Sequence, residues 1–182
     1  PHVFYHDDTD GALRHAFWNG QSWAFETLDG NGGGNGRTTH RVGLFNAAML
    51  YNGRPHVFYH DDTDGALRHA YYNGVAWGFE TLDGQAYGSG GQIVGAVGTY
   101  NAVSLYGGRP QVFYYDETAD DLRRAYYNGS AWIFATLDGA GGDNGRTTNN
   151  VGWFNATVVS GGTPHVFYWD ALGGNLRHGW FG

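Results

Sequence analysis

The sequence predicts an all-β fold: a β-propeller built from four-stranded antiparallel blades of about 54 residues. Three observations carry this. The anchor PHVFYHD at Pro1 returns at Pro55, as PQVFYYD at Pro110 and as PHVFYWD at Pro164, a period of 54, 55 and 54 residues. Self-similarity at a period of roughly 20–50 residues marks solenoids, propellers and arrays. Within each period, short runs rich in Val, Phe, Tyr, Trp and Thr alternate with NG, DG, GG and DDTDG, which are hairpin signals. Finally, VFY and AYY place apolar side chains on both sides of a strand. A sandwich strand would show one polar face, whereas a blade packs against a neighbour on each side.

The unit that starts at Asn101 shows the elements in order. NAVSLYGG is the innermost strand, closed by a GG turn. QVFYYDET is the second, leading into the DDTDG-type turn. DLRRAYYNG is the third, ending in an NG hairpin, and AWIFATLDG is the outermost. A Gly-rich crossing then leads to the next unit: NGGGNGRTTHRVG, QAYGSGGQIVGAVG and AGGDNGRTTNNVG in turn, with the extra residue in the second. No stretch sustains a 3.6-residue apolar period, so helix is not expected. The chain is read as one repeat domain over residues 1–182, with repeat starts at 1, 55, 110 and 164 and fourteen strands, about three and a half blades. Propellers usually hold four to eight blades. The ring is therefore expected to be completed by a second chain, a homodimer, or the chain is a piece of a longer repeat protein. The exact duplication of PHVFYHDDTDGALRHA at Pro1–Ala16 and Pro55–Ala70 indicates recent duplication or design.

Composition removes several function classes. With no cysteine there is no disulfide framework and no thiolate chemistry. All ten basic residues are arginine and the net charge is −7, which opposes a sequence-independent grip on nucleic acid or on an anionic membrane. No apolar run approaches the ~20 residues of a spanning helix. The chain opens on Pro1 with no signal peptide, as a mature form, a fragment or an engineered product would. A secreted or cell-surface setting is favoured, since lack of disulfides does not exclude it.

The unit VFYHDDTDGALRHAYYNGVAWGFETLDG resembles the blades of bacterial and fungal lectin propellers, above all the seven-bladed bacterial type. In that type a hydrophobic strand, a DG turn and an aromatic pair with NG precede W-x-x-W/F-E-x-L-G/D-G. The resemblance covers the whole chain and implies glycan binding in pockets between blades. The fungal fucose-specific lectins have a similar blade with an Arg and a Glu that clamp the sugar. The matching positions here are His2, His56, Gln111 and His165 for the Arg, and His15, His69, Arg124 and His178 for the Glu. Neither clamp residue is kept.

A sugar site needs a flat aromatic face and fixed polar groups. The repeated candidates are Trp23, Trp77 and Trp132; Arg14, Arg68, Arg123 and Arg177; His15, His69 and His178; and Asn46, Asn101 and Asn155. Each also has a packing assignment: tryptophan between blades, arginine stacked on aromatics or paired with Asp or Glu of the next blade. The asparagines have a backbone-bonding one. No metal or cofactor is expected. Histidines copied by a repeat fall in different blades, and HDDTDG supplies only half of a calcium loop and varies to DETADD and DALGGN. No catalysis is expected either, because a glycosidase flanks the scissile bond with two carboxylates. Glu26 and Glu80 merely recur with the repeat, and Ala135 replaces them in the third copy. Asn128-Gly129-Ser130 and Asn155-Ala156-Thr157 are glycosylation sequons. The competing function is a structural or adhesion module that self-assembles without a sugar ligand.

Overall fold

The computed structural model describes residues 1–32, 34–85 and 90–180, and among them there is no helix. Part of the QAYGSGGQIVGAVG crossing and the end of LRHGWFG lie outside the described residues. Four antiparallel sheets follow one another along the chain. The first holds β1 (His2–Asp7), β2 (Ala12–Trp18) and β3 (Trp23–Asp29). The second holds β4 (Val42–Tyr51), β5 (Arg54–Asp61), β6 (Ala66–Tyr72) and β7 (Trp77–Asp83). The third holds β8 (Val97–Tyr106), β9 (Arg109–Asp116), β10 (Asp121–Tyr127) and β11 (Trp132–Asp138). The last holds β12 (Val151–Ser160), β13 (Thr163–Asp170) and β14 (Asn175–Trp180).

Turn chemistry explains the hairpins. Asn19, Asn73 and Asn128 each accept, through Oδ1, two backbone N–H groups of the residues that follow, at 2.9–3.0 Å. The side chain thus imitates a backbone turn. Asp7, Asp61 and Asp116 do the same for the DDTDG-type turn. That commits the first carboxylate of the calcium-like motif to its own turn.

Strands β4, β8 and β12 contact one another in sequence, which makes them the innermost strands. Each carries a bulge at which an aromatic residue adopts a left-handed backbone: Phe45 (φ 49°), Tyr100 (φ 53°) and Phe154 (φ 52°). The asparagine after it secures the bulge. Asn46 Nδ2 donates to the Gly43 carbonyl at 2.9 Å. Asn101 Nδ2 donates to Gly98 and also to Phe45 of the preceding sheet, and Asn155 Nδ2 donates to Tyr100. In all three the side-chain amide nitrogen ties backbone to backbone.

The core lies between sheets. Leu13, Val57 and Tyr59 bury the first junction, Phe58, Leu67, Val112 and Tyr114 the second, and Phe113, Leu122 and Val166 the third. A polar staple accompanies each junction. The aspartate of LDG, at positions Asp29, Asp83 and Asp138, accepts from the tyrosine of the following sheet at 2.6–2.7 Å (Tyr59, Tyr114 and Tyr168). It also pairs with the arginine of that sheet: Arg68 at 3.0 Å, Arg123 at 3.3 Å and Arg177 at 2.8 Å. Its other oxygen accepts the N–H of Thr38, Ile93 or Thr147 and so pins the crossing.

The two end faces differ from the interior. Leu176 is 71% exposed although its equivalents Leu13, Leu67 and Leu122 are at most 1% exposed. Val3 is likewise exposed where Val57, Val112 and Val166 are fully buried.

Candidate functional site

Directly opposite residues on adjacent strands bring a row of three onto one face: Phe4, His15 and Glu26 in the first sheet, Phe58, His69 and Glu80 in the second. The imidazole stacks on the phenyl ring at 4.6 Å in the first and 4.5 Å in the second. A histidine two residues before the phenylalanine shares that face by the period of a strand. His2 Nδ1 lies 2.8 Å from His15 Nε2, and His15 Nδ1 lies 2.9 Å from Glu26 Oε1. The second copy repeats this, with His56 and His69 at 2.9 Å and His69 and Glu80 at 2.8 Å. The next sheet then closes the row. Trp77 Nε1 donates to Glu26 Oε1, and Trp132 Nε1 to Glu80 Oε1, each at 3.2 Å.

The hydrogen-bond chain fixes the tautomers. A carboxylate only accepts, so His69 donates from Nδ1 and accepts at Nε2. His56 must then donate from Nδ1, which leaves its Nε2 as an acceptor. Glu80 keeps its second oxygen. Each row borders a cleft between sheets, of about 470 Å³ at the second junction and 640 Å³ at the first. The walls of the second add Tyr51, Tyr71 and Tyr127, so flat apolar surface stands beside two acceptors. His69 is 3% exposed while the Glu80 side chain is 41% exposed, which makes the carboxylate the reachable end.

Burial, then the nearby His69, lowers His56 to about 4. Burial lowers His69 as well, against the opposing pull of Glu80. Burial would raise Glu80, but the His69 N–H and the Trp132 N–H hold it below its ordinary value. The unfolded chain takes up protons on these imidazoles near pH 6.5 and the folded chain does not until lower pH. Between those values the unfolded state binds more protons, so stability falls as pH drops from about 6.5 toward about 4. We expect the melting temperature to decline by several degrees over that interval, as a calorimetric series would show, and His56→Gln to flatten the decline.

The sequence-predicted residues divide accordingly. His15, His69, Trp77 and Trp132 meet in the clefts. His178 pairs with His165 at 2.8 Å in a sheet whose last strand, among the described residues, is β14, and together with Arg177 it lines a further cleft of about 420 Å³ against Leu137 and Asp138 of the preceding sheet. Trp23 stands 44% exposed on the opposite end face. Arg68 and Arg123 lie on the other side of their strands from the histidine position, since neighbours in a strand point oppositely. They are spent on the staples, with further bonds to the Gly36 and Gly91 carbonyls. Arg177 joins Asp138 in the same way, and Arg14 approaches Asp7 at 3.8 Å. The third junction departs from the pattern. Gln111, Arg124 and Ala135 replace the His–His–Glu row, and the Arg124 guanidinium sits over Tyr126 at 5.1 Å and Tyr106 at 5.9 Å.

No protein-family model matches the sequence, and no curated protein matches it significantly. Among solved structures the chain is similar to the fucose-specific lectin from Aleuria aurantia, with a TM-score of 0.50 at 13% identity. The likeness covers 100% of this chain and 60% of that lectin, so the chain spans about three fifths of its length. What the two share is the fold. At this identity the likeness extends to the arrangement of antiparallel sheets and carries no ligand with it.

Two further features belong here. From the sequence, Glu26 and Glu80 are set aside as residues that merely recur with the repeat, yet they anchor the row. The signal was covariation: Glu accompanies His at positions 15 and 69, and Ala135 accompanies Arg124. His40, Asp61 and Asp64 each bring one ligand atom to within 4.8 Å of the others. At the equivalent place, however, Asn149 donates its amide to Asp170 at 2.9 Å. An amide donor does the same work as His40 Nδ1, which lies 2.9 Å from Asp61, so the cluster reads as a hydrogen-bonded tie of the crossing.

Proposed function

We propose that the chain is a multivalent carbohydrate-binding, lectin-like propeller module that holds sugars in the clefts between blades and performs no catalysis. The observation that carries this is the twofold recurrence of an acceptor pair, His56 Nε2 and Glu80 or its copies, beside the rings of Trp132 and Tyr71. A pyranose offers hydroxyl donors on its rim and a C–H face for the rings. Each of these two clefts is lined by one glutamate and no other carboxylate, which supplies no acid–base pair. Repeated weak sites gain ~10²–10⁴ in avidity when their geometry permits.

The partner set is glycans together with a second copy of the chain. The apolar side chains of the end faces, Leu176 and Val3 among them, are those that interior blades bury against one another. A further blade therefore suits each face, and a homodimer supplies it. A glycan array run beside a light-scattering mass tests both parts. Binding to a narrow sugar set by a particle of twice the chain mass is expected. Glu26→Gln with Glu80→Gln should weaken binding tenfold or more, since hydrogen bonds to a charged group are worth ~1.5–3 kcal/mol. An unchanged melting temperature would separate this from unfolding. No binding by a well-folded assembly would overturn the lectin reading and favour the scaffold. A mass equal to one chain would overturn the dimer.

A further inference from the structure

A second kind of cleft lies near the innermost strands at the third junction, has a volume of about 460 Å³, and is not copied by the repeat. Its walls are rings. Trp153 stacks on Tyr100 at 5.8 Å and meets Tyr115 edge-on at 5.9 Å, and Phe45 leans on Tyr100 at 4.9 Å. Two carboxylates, Glu117 and Asp120, complete it, and no basic side chain lines it. Tyr115 Oη donates to Asp120 Oδ1 at 2.5 Å, as does Asn150 Nδ2 at 2.7 Å. Among the described residues no side-chain partner engages the Glu117 carboxylate.

Comparison with the first junction shows what is missing. There the position of Asn150 is held by Arg41, whose guanidinium pairs with Asp8 at 2.6 Å and Asp62 at 3.3 Å. Asp8 and Asp62 are the repeat equivalents of Glu117. At the third junction the internal cation has become a neutral amide while the carboxylate remains. The turn glycine, Gly11 or Gly65, has become Asp120, which keeps the left-handed backbone at φ 63°. Leu44 has become Trp153, and His6 has become Tyr115. Moreover, Thr99, which lines the cleft and is 3% exposed, has an Oγ1 without a hydrogen-bond partner, and so has Asn150 at Oδ1.

We propose that this cleft binds an organic cation of the alkylammonium class. Aromatic faces attract such a charge when it lies within ~6 Å of the ring centroid, Trp most strongly. The two carboxylates complement it, and a hydroxyl carried by the ligand can donate to one of the two idle oxygens. Neutral sugars remain the ligand of the outer clefts.

Choline is the probe. Calorimetric titration of the whole chain should show saturable binding, with 3,3-dimethyl-1-butanol, the neutral analogue of the same shape, at least roughly fivefold weaker. Trp153→Leu and Asp120→Gly install residues that the repeat itself uses at those positions, so both variants should fold. Each, and Glu117→Gln, should weaken choline roughly fivefold or more. His69→Ala, in an outer cleft, should leave choline binding unchanged, so this proposal and the lectin reading fail separately. Equal binding of the neutral analogue, choline affinity indifferent to Trp153→Leu, or displacement of choline by a neutral monosaccharide would each overturn it.

Discussion

Replacing Asp83 with alanine is expected to cost about 3–5 kcal/mol, enough to leave the chain largely unfolded, because it strips a buried cation of its partner. The Asp83 side chain is 0% exposed and that of Arg123 5%. The same carboxylate accepts from Tyr114 and from the backbone of Gly84 and Ile93, so one substitution takes an acceptor from three donors besides the arginine, of which only the Gly84 N–H keeps another, the Ile93 carbonyl. Burial and the Asp83 charge push the Tyr114 hydroxyl well above a phenol's ordinary value, which keeps it a proton donor throughout the accessible pH range. A urea unfolding midpoint measures the loss. Arg123→Met, which removes the charge and keeps the volume, should cost less than Asp83→Ala. An Asp83→Ala variant with an unshifted midpoint would show that the staple contributes nothing.

The second large effect is expected at a residue with no side chain. Gly98 has φ +91°, and a Cβ there would stand 2.8 Å from the Leu67 Cα of the preceding sheet. Gly43 faces Leu13, and Gly152 faces Leu122, in the same way at 2.9 and 3.0 Å. Both neighbours are backbone atoms of strands fixed on two sides. Gly98→Ala therefore combines a left-handed strain of ~1–3 kcal/mol with overpacking of ~1–3 kcal/mol. A loss of about 3 kcal/mol is expected in the same unfolding assay. Gly53→Ala, which has open space around its Cβ, is the control and should lose less.

Much of the fold was legible because the forces that set it are local. The NG and DDTDG turns close on their own side chains, and the period fixes which runs are copies. Fourteen strands in four sheets follow from those two facts. The lining of the two outer clefts was legible only in part. Tryptophan and histidine were recognised by their recurrence, but arginine recurs equally, and recurrence does not tell a ligand contact from a staple. The deciding facts are non-local. Arg68 and its partner Asp29 are 39 residues apart. The adjacency of Arg68 and His69 in one strand could have parted them, because consecutive strand residues point to opposite faces of the sheet. Asn101 and Asn155, too, find carbonyl partners in the preceding sheet that no local pattern announces.

The staples also give each blade a direction. One flank of every junction offers a carboxylate, Asp29, Asp83 or Asp138, and the other offers a phenol and a guanidinium. The contact is vectorial, like the joint between monomers of a polymer with distinguishable ends. Two like flanks brought together would oppose arginine to arginine or aspartate to aspartate, and such like-charge juxtaposition costs several kcal/mol. Between consecutive sheets of the chain the order is thereby fixed, because none of the three junctions reads the same in reverse. Head-to-tail addition ends in a closed circle when the rotation per blade divides the turn, and in an open filament when it does not.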